Sequence, residues 1–167
     1  MVKPYQYGTP IFIIPKKEGT LRFITDYFRL NQKPCRKPYK LSIIGKKIQQ
    51  LEGFQYEIAL DINMGYYTII IFSTSQEITT IVTEFRRFRY NCLPMGMCAS
   101  GDIFQSKVDN MLSDIKFVKT YINDILVLSK DILSNNIEQL RTIYCILLYS
   151  GLKVNATRCS FGLKDIT

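Results

Sequence analysis

Two apolar runs that carry acids constrain the fold more than any other feature: Ala59-Leu60-Asp61-Ile62 and Tyr121-Ile122-Asn123-Asp124-Ile125-Leu126-Val127-Leu128. Short runs rich in Ile, Leu and Val predict buried neighbouring strands, and strands lying side by side bring their acids together. Magnesium prefers oxygen ligands and keeps much of its water, so one or two carboxylates plus substrate phosphates complete a site. The chemistry such a site serves is phosphoryl transfer. Two plainer readings stand beside this one. An Asp at a strand end can be a cap or turn residue, and Asn123-Asp124 can be the two central residues of a hairpin.

Composition narrows the choice. With 167 residues, 47% of them hydrophobic, and no low-complexity stretch, the chain can bury a real core as one domain or two intimately packed lobes. Its longest apolar stretches, such as Ile69-Ile70-Ile71-Phe72, fall far below the ~20 residues that span a bilayer. The start Met1-Val2-Lys3-Pro4-Tyr5 lacks the apolar core of a signal peptide. The expectation is a soluble intracellular protein, neither secreted nor in contact with a membrane. Cys35, Cys92, Cys98, Cys145 and Cys159 are odd in number and never spaced Cys-x-x-Cys, which argues against a disulfide framework or a zinc site. The absence of His removes Ser-His-Asp triads, His-dependent zinc sites and imidazole acid-base chemistry. Carboxylate-metal chemistry passes both filters.

The net charge of +8, from 22 Lys and Arg against 14 Asp and Glu, favours a polyanionic partner. The excess is clustered at Lys16-Lys17, Lys33 to Lys40, Lys46-Lys47 and Arg86-Arg87-Phe88-Arg89. Basic residues interleaved with Tyr39, Phe88 and Tyr90 can neutralise phosphates and stack bases, as single strands and RNA-containing duplexes require. For any one cluster, a solvated basic surface is the simpler reading.

Periodicity places these groups on elements. Ile11 to Ile14 and Leu21 to Ile24 flank Lys16-Lys17-Glu18-Gly19 and predict a basic β-hairpin turned at Gly19. Ser42 is placed to cap a helix carrying Ile44, Ile48 and Leu51, ended near Gly53 and followed by a strand from Tyr56 to Asp61. A turn at Asn63-Met64-Gly65 leads to an extended stretch from Tyr66 to Phe72, then strands near Thr79 to Thr83 and Arg87 to Tyr90. Ser100 is placed to cap a helix bearing Ile103, Phe104, Val108, Met111 and Leu112. A strand from Phe117 to Tyr121 pairs around the Asn123-Asp124 tip. Ile132 to Leu148 reads as a helix closed by Gly151, and Leu152 to Val154 with Ser160 to Leu163 reads as a last pair of strands.

Several blocks then occur in a telling order: Pro15-Lys16-Lys17-Glu18-Gly19-Thr20-Leu21-Arg22-Phe23, Asp26-Tyr27-Phe28-Arg29-Leu30-Asn31, Leu60-Asp61-Ile62-Asn63-Met64-Gly65-Tyr66-Tyr67, Leu93-Pro94-Met95-Gly96, Phe104-Gln105, Tyr121-Ile122-Asn123-Asp124 and Gly151-Leu152-Lys153-Val154-Asn155. In order and spacing the chain resembles, nearly end to end, the reverse transcriptases of gypsy-class long-terminal-repeat retrotransposons. The resemblance implies an α+β fingers-and-palm core of the polymerase right hand, with an antiparallel palm sheet backed by helices. Fingers are expected at residues 1–36 and 69–99 and palm at 37–68 and 100–167, the thumb and ribonuclease H regions being absent from this stretch.

The resemblance also implies an RNA-directed DNA polymerase that uses two Mg2+ ions. Asp61 and Asp124 match two of the family's three acids, and the Ile62 carbonyl resembles a further metal ligand. Lys17 and Arg22 resemble the groups that meet the incoming triphosphate, and Tyr66 the steric gate under the sugar. Met95 and Gly96 resemble the loop beside the nucleotide, and Gln105 a template-side contact. The implied partners are an RNA template and primer, an RNA-DNA hybrid and deoxynucleoside triphosphates. Thumb, ribonuclease H and integrase domains are the companions expected in an intact element, in the cytoplasm or a retroelement particle.

The departures matter as much as the matches. The family's Tyr-x-Asp-Asp turn has Asp where this chain has Asn123, which keeps a carbonyl oxygen but loses a negative charge. A unit-charge pair at ~4 Å is worth about 4 kcal/mol at an effective dielectric near 20, so a metal site without that charge is weakened. Gly101 stands where Pro usually precedes the helix, Arg86 where a turn Gly is common, Lys40 and Ser42 where prolines are frequent, and Cys92 at a commonly basic place. The expectation is a polymerase core impaired by Asn123. The alternative is a catalytically inactive, retroelement-derived nucleic-acid-binding remnant.

Overall fold

The computed structural model describes residues 8–16, 19–33, 38–39, 56–129 and 133–163. The helix expected after Ser42 lies outside these residues, as do Lys17 and Lys40. The fold is mixed α and β with antiparallel sheets, and it divides into two compact units, one from 1–37 and 66–101, the other from 38–65 and 102–167.

In the first unit, β1 (Ile11–Pro15) and β2 (Leu21–Thr25) form the expected hairpin, in register from Ile11↔Thr25 to Pro15↔Leu21. Gly19 supplies the turn with φ of 78°, and the Lys16 N–H donates to the Thr20 carbonyl at 2.7 Å. A short helix α1 (Phe28–Asn31) follows. Tyr27, just before it, is buried and donates its hydroxyl to the Thr79 carbonyl at 3.3 Å.

The stretch from Tyr66 to Phe72 is extended only in its second half, where Ile69 and Ile71 bond Leu93 and Asn91. Met64, with φ of 52°, turns the chain out of the sheet, Gly65–Thr68 winds into a 3-10 turn, and Ile70 alone bridges to Cys92. The apolar run Ile69-Ile70-Ile71 looked like a strand but lacks a continuous ladder partner. Helix α2 (Ser73–Gln76) leads to the short strands β4 (Ile81–Val82) and β5 (Arg87–Phe88). These are shorter than expected because Thr79 and Thr80 donate their hydroxyls to the Gln76 and Glu77 carbonyls at 2.7 and 2.6 Å, favouring a local turn over the ladder. Tyr90 likewise gives its N–H to Thr79 Oγ1 at 3.1 Å.

The second unit is built on β3 (Tyr56–Asn63), flanked by the hairpin β6 (Val118–Tyr121) and β7 (Asp124–Ser129) on one side and by β8 (Lys153–Val154) and β9 (Ser160–Leu163) on the other. Both β8 and β9 pair with β3 and not with each other. Alternation along β3 and β7 buries Ile58, Leu60, Ile62, Ile125 and Val127 on one face, each no more than 2% exposed. Helix α3 (Cys98–Leu112), which crosses from one unit's sequence into the other's, buries Phe104, Val108 and Leu112 at i, i+4, i+8 and leaves Ile103 exposed. Phe104 lies so close to Gly65 that a Cβ there would stand 2.4 Å from its ring. Helix α4 (Leu133–Tyr149) lies against β7 and β3, burying Ile143 and Leu147, and ends at Gly151 with φ of 71°.

Ser100 does not cap α3. The helix begins at Cys98, whose N–H donates to Asn31 Oδ1 at 2.8 Å, while Asn31 Nδ2 donates to the Gly96 carbonyl at 2.9 Å. The cap thus comes from a residue far away in sequence, which periodicity cannot reveal. Ser100 instead donates to the Pro94 carbonyl at 2.6 Å, and Gly101 lies inside the helix rather than before it. Among the described residues, no helix is long and apolar enough to cross a membrane, and Cys92, Cys98, Cys145 and Cys159 are free thiols.

Candidate active site

Antiparallel pairing makes Asp61 and Asp124 register partners at one end of β3 and β7. Asp124 also pairs with Tyr121 across the β6–β7 hairpin, so the two central turn residues are Ile122 and Asn123, one position earlier than an Asn123-Asp124 turn. By strand alternation both carboxylates occupy the sheet face opposite Leu60 and Ile125. The Ile62 N–H donates to the Asn123 carbonyl at 2.8 Å, and the Asp61 carbonyl accepts the Asn155 N–H at 2.8 Å. Asp61, Ile62, Asn123 and Asp124 therefore share one corner of the sheet.

The turn is held in a costly shape. Ile122 has φ of 52°, a region that β-branched residues rarely occupy, and Asn123 does not share it. A positive φ at the first central residue alone matches a II′ turn, where Gly is usual. Gln105 on α3 stabilises the arrangement by accepting the Ile122 N–H on its side-chain carbonyl. Its amide is oriented by donating to Asp109 Oδ1 at 2.7 Å and to Thr120 Oγ1 at 3.0 Å, and Thr120 in turn donates to Asp109. The Gln105 side chain is 1% exposed and engaged with the turn. Asp109 and Thr120 were not legible as site residues, although Gln105 and Asp109 at i, i+4 share a helix face.

Burial and the nearby Asp61 carboxylate together raise the Asp124 pKa above the ordinary carboxylate range. Two like charges in register gain from a cation between them. Asn123 Oδ1 is buried with no hydrogen-bond partner, an oxygen whose lone pairs await a donor or a cation. The available donors are all oxygens, the preference of a hard divalent cation, so the residues present fit such an ion. They fit it with reduced charge. Among the described residues no three His, Cys, Asp or Glu side chains gather, and this corner supplies two carboxylates with an amide where a third would complete the set.

The remaining candidates lie in the first unit's stretches. Arg22 is exposed on β2, opposite Ile14. Tyr66 is half-buried in the 3-10 turn, and burial raises its hydroxyl pKa. Met95 is exposed, and Gly96 has φ of 95° with the Thr25 carbonyl 3.2 Å from where a Cβ would stand, so this position requires glycine.

A protein family described as Reverse transcriptase (RNA-dependent DNA polymerase) matches residues 14–166. The Pro-Pol polyprotein of Simian foamy virus type 1 is 26% identical over 166 residues, covering 95% of this chain and 14% of the polyprotein. The Transposon Tf2-3 polyprotein of Schizosaccharomyces pombe is 27% identical over 159 residues, covering 94% of this chain and 12% of its own length. The chain thus spans only a small part of these relatives. Among solved structures, the native Prototype Foamy Virus protease-reverse transcriptase superposes with a TM-score of 0.81 at 25% identity, covering 94% of this chain and 21% of that one. The foamy viral protease-reverse transcriptase in complex with RNA/DNA hybrid shares the fold, with a TM-score of 0.75 at 24% identity over 95% of this chain and 22% of that one.

Proposed function

The chain belongs to the reverse transcriptase (RNA-dependent DNA polymerase) family, and from that premise we propose that it is the nucleotide-adding core of a retroelement polymerase, weakened by Asn123. In this reading the unit containing β1 and β2 is the fingers and the unit containing β3 is the palm. The substrates are an RNA template with its primer, the RNA-DNA hybrid that forms, and deoxynucleoside triphosphates. Thumb, ribonuclease H and integrase domains of a gypsy-class polyprotein accompany it, inside the cell or in a retroelement particle.

Asp61, Asn123 and Asp124, with the Ile62 carbonyl, are the groups that would hold two Mg2+ ions. Such ions, when bound, neutralise charge on the phosphates and lower the barrier to in-line displacement. The protein's part is placement. The register of β3 and β7 brings the carboxylates together, and Gln105 holds the Ile122-Asn123 turn beside them. Arg22 and Lys17 counter the triphosphate charge, Met95 and Gly96 lie beside the nucleotide, and the Tyr66 ring blocks a 2′-hydroxyl by steric exclusion.

One observation carries this reading: the Asp61↔Asp124 register pair beside a buried, unpartnered Asn123 oxygen. The same Asn123 favours a second reading, a nucleic-acid-binding remnant without catalysis. Primer extension on an RNA template with Mg2+, comparing this chain with Asn123→Asp at matched template binding, separates them. Extension mainly by the variant supports a polymerase core disabled at its metal corner. Extension by neither, with template binding intact, supports the remnant.

A further inference from the structure

Capping α3 requires only an acceptor for the Cys98 N–H, and Asp or Ser would supply one as well as Asn. Asn31 makes a second bond that capping does not need. While its Oδ1 accepts from Cys98 at 2.8 Å, its Nδ2 donates to the Gly96 carbonyl at 2.9 Å, so one planar amide spans the end of the loop that precedes the helix. An amide satisfies both groups, which a carboxylate or an aliphatic side chain does not. Both bonds are exposed to solvent, where a hydrogen bond adds little to stability, and what they fix is the shape of the loop.

The post that carries Asn31 is itself held. Asp26 Oδ1 accepts the Phe28 N–H at 2.9 Å, the Asn31 N–H donates to the Tyr27 carbonyl at 2.8 Å, and Tyr27 is 2% exposed with its hydroxyl on the Thr79 carbonyl. The loop is pinned before Met95 as well, where Ser100 donates to the Pro94 carbonyl at 2.6 Å and the Leu93 N–H to the Ile69 carbonyl at 2.8 Å. Gly96 rests against the Thr25 carbonyl and the Tyr27 ring, 3.2 and 3.6 Å from the place of a Cβ. The blocks Asp26 to Asn31 and Leu93 to Gly96, far apart in sequence, are thus one frame from which Met95 projects, 43% exposed. A loop held in this way spares a ligand the cost of ordering it.

We propose that Asn31 is a positioning residue for the incoming nucleotide: its Nδ2 bond to the Gly96 carbonyl holds Met95 and Gly96 in the shape that receives the deoxynucleoside triphosphate. The inference rests on the reading that this loop lies beside the nucleotide, and it gives Asn31 no contact with substrate and no part in the acid corner. Asn31→Asp separates the two bonds. A carboxylate keeps the acceptor for Cys98, is favoured at a helix N-terminus, and turns an oxygen toward the Gly96 carbonyl in place of a donor. Asn31→Ala removes both bonds.

The test is titration of a fluorescent deoxyadenosine triphosphate with Mg2+ into the whole chain as wild type, Asn31→Asp, Asn31→Ala and Met95→Ala, with thermal unfolding and amide hydrogen exchange of each. Asn31→Asp is expected to keep the wild-type melting temperature and the protection of the Cys98 amide while weakening nucleotide affinity roughly 3- to 10-fold. Asn31→Ala is expected to lose affinity to a similar degree, to melt lower and to exchange faster at Cys98. Wild-type affinity in Asn31→Asp would overturn the proposal. So would a loss of affinity in Asn31→Asp that comes only with a lowered melting temperature, which would make Asn31 a structural cap. Weakened binding by Met95→Ala without a loss in Asn31→Asp removes this proposal alone. If the wild-type chain binds no nucleotide, or if none of the three substitutions changes its affinity, the reading that places this loop beside the nucleotide fails as well.

Discussion

The side-chain carbonyl of Gln105 accepts the backbone N–H of Ile122, the residue held at φ of 52° in the turn before Asp124. A buried helix residue therefore sets the backbone of the acid corner. Removing that acceptor leaves the Ile122 N–H, Asp109 and Thr120 with fewer partners. Gln105→Leu is expected to cost about 1–3 kcal/mol in urea unfolding. It should also speed hydrogen exchange at the Ile122 amide more than in the β3 core. Unchanged exchange at Ile122 would show that the turn holds itself.

Two glycines, one packed against this helix and one within it, should respond in opposite ways. A Cβ at Gly65 would stand 2.4 and 2.7 Å from the Phe104 ring and 2.9 Å from Ile62 Cγ2, so Gly65→Ala is expected to cost ~1–3 kcal/mol by overpacking. At Gly101 the nearest atom is the Tyr66 hydroxyl at 4.0 Å, and Gly101→Ala is expected to gain about 0.5–1 kcal/mol by stiffening a helical position. Thermal unfolding of both variants checks the pair. A stabilised Gly65→Ala would contradict the packing described here.

The raised pKa of Asp124 sets the sign of a pH effect. The folded chain binds this proton more tightly than the unfolded chain. The carboxylate therefore destabilises the fold above its raised pKa, and that penalty fades as pH falls to the ordinary carboxylate range. Without divalent metal, Asp124→Asn is expected to be more stable than wild type at neutral pH, with the gap closing in acid. Asp61→Asn should act in the same direction by removing the second cause of the shift. The effect is small, because Asp124 keeps solvent exposure. Urea midpoints across pH in EDTA provide the measurement, and a destabilised Asp124→Asn at neutral pH would contradict it.

Legibility in the sequence followed how local each determinant is. The β1–β2 hairpin, β3, the β6–β7 pair and α4 were readable because apolar alternation and Gly19 or Gly151 mark them within a few residues. The start of α3 is not legible because its first N–H is taken by Asn31, a contact invisible to any short window. The 3-10 turn at Gly65–Thr68 is not legible because Tyr and Thr favour strands in any short window. The acid corner is visible in the sequence as acids but not as geometry. The bond from Gln105 to the turn is not legible, since residue type alone does not show which backbone group a buried amide meets. The roles proposed for Arg22, Tyr66, Met95 and Gly96 rest on family order and not on any local pattern.

The central claim is that Asp61, Asn123 and Asp124 form one divalent-cation corner whose weakness is the amide at 123. Calorimetric titration of Mg2+ and Mn2+ into this chain, Asn123→Asp and Asn123→Asp with Asp61→Asn tests it directly. The expected result is affinity at least ~10-fold tighter for Asn123→Asp, about 1.4 kcal/mol, and loss of that gain when Asp61 is neutralised. Equal affinity in wild type and Asn123→Asp, or a gain indifferent to Asp61, would contradict it.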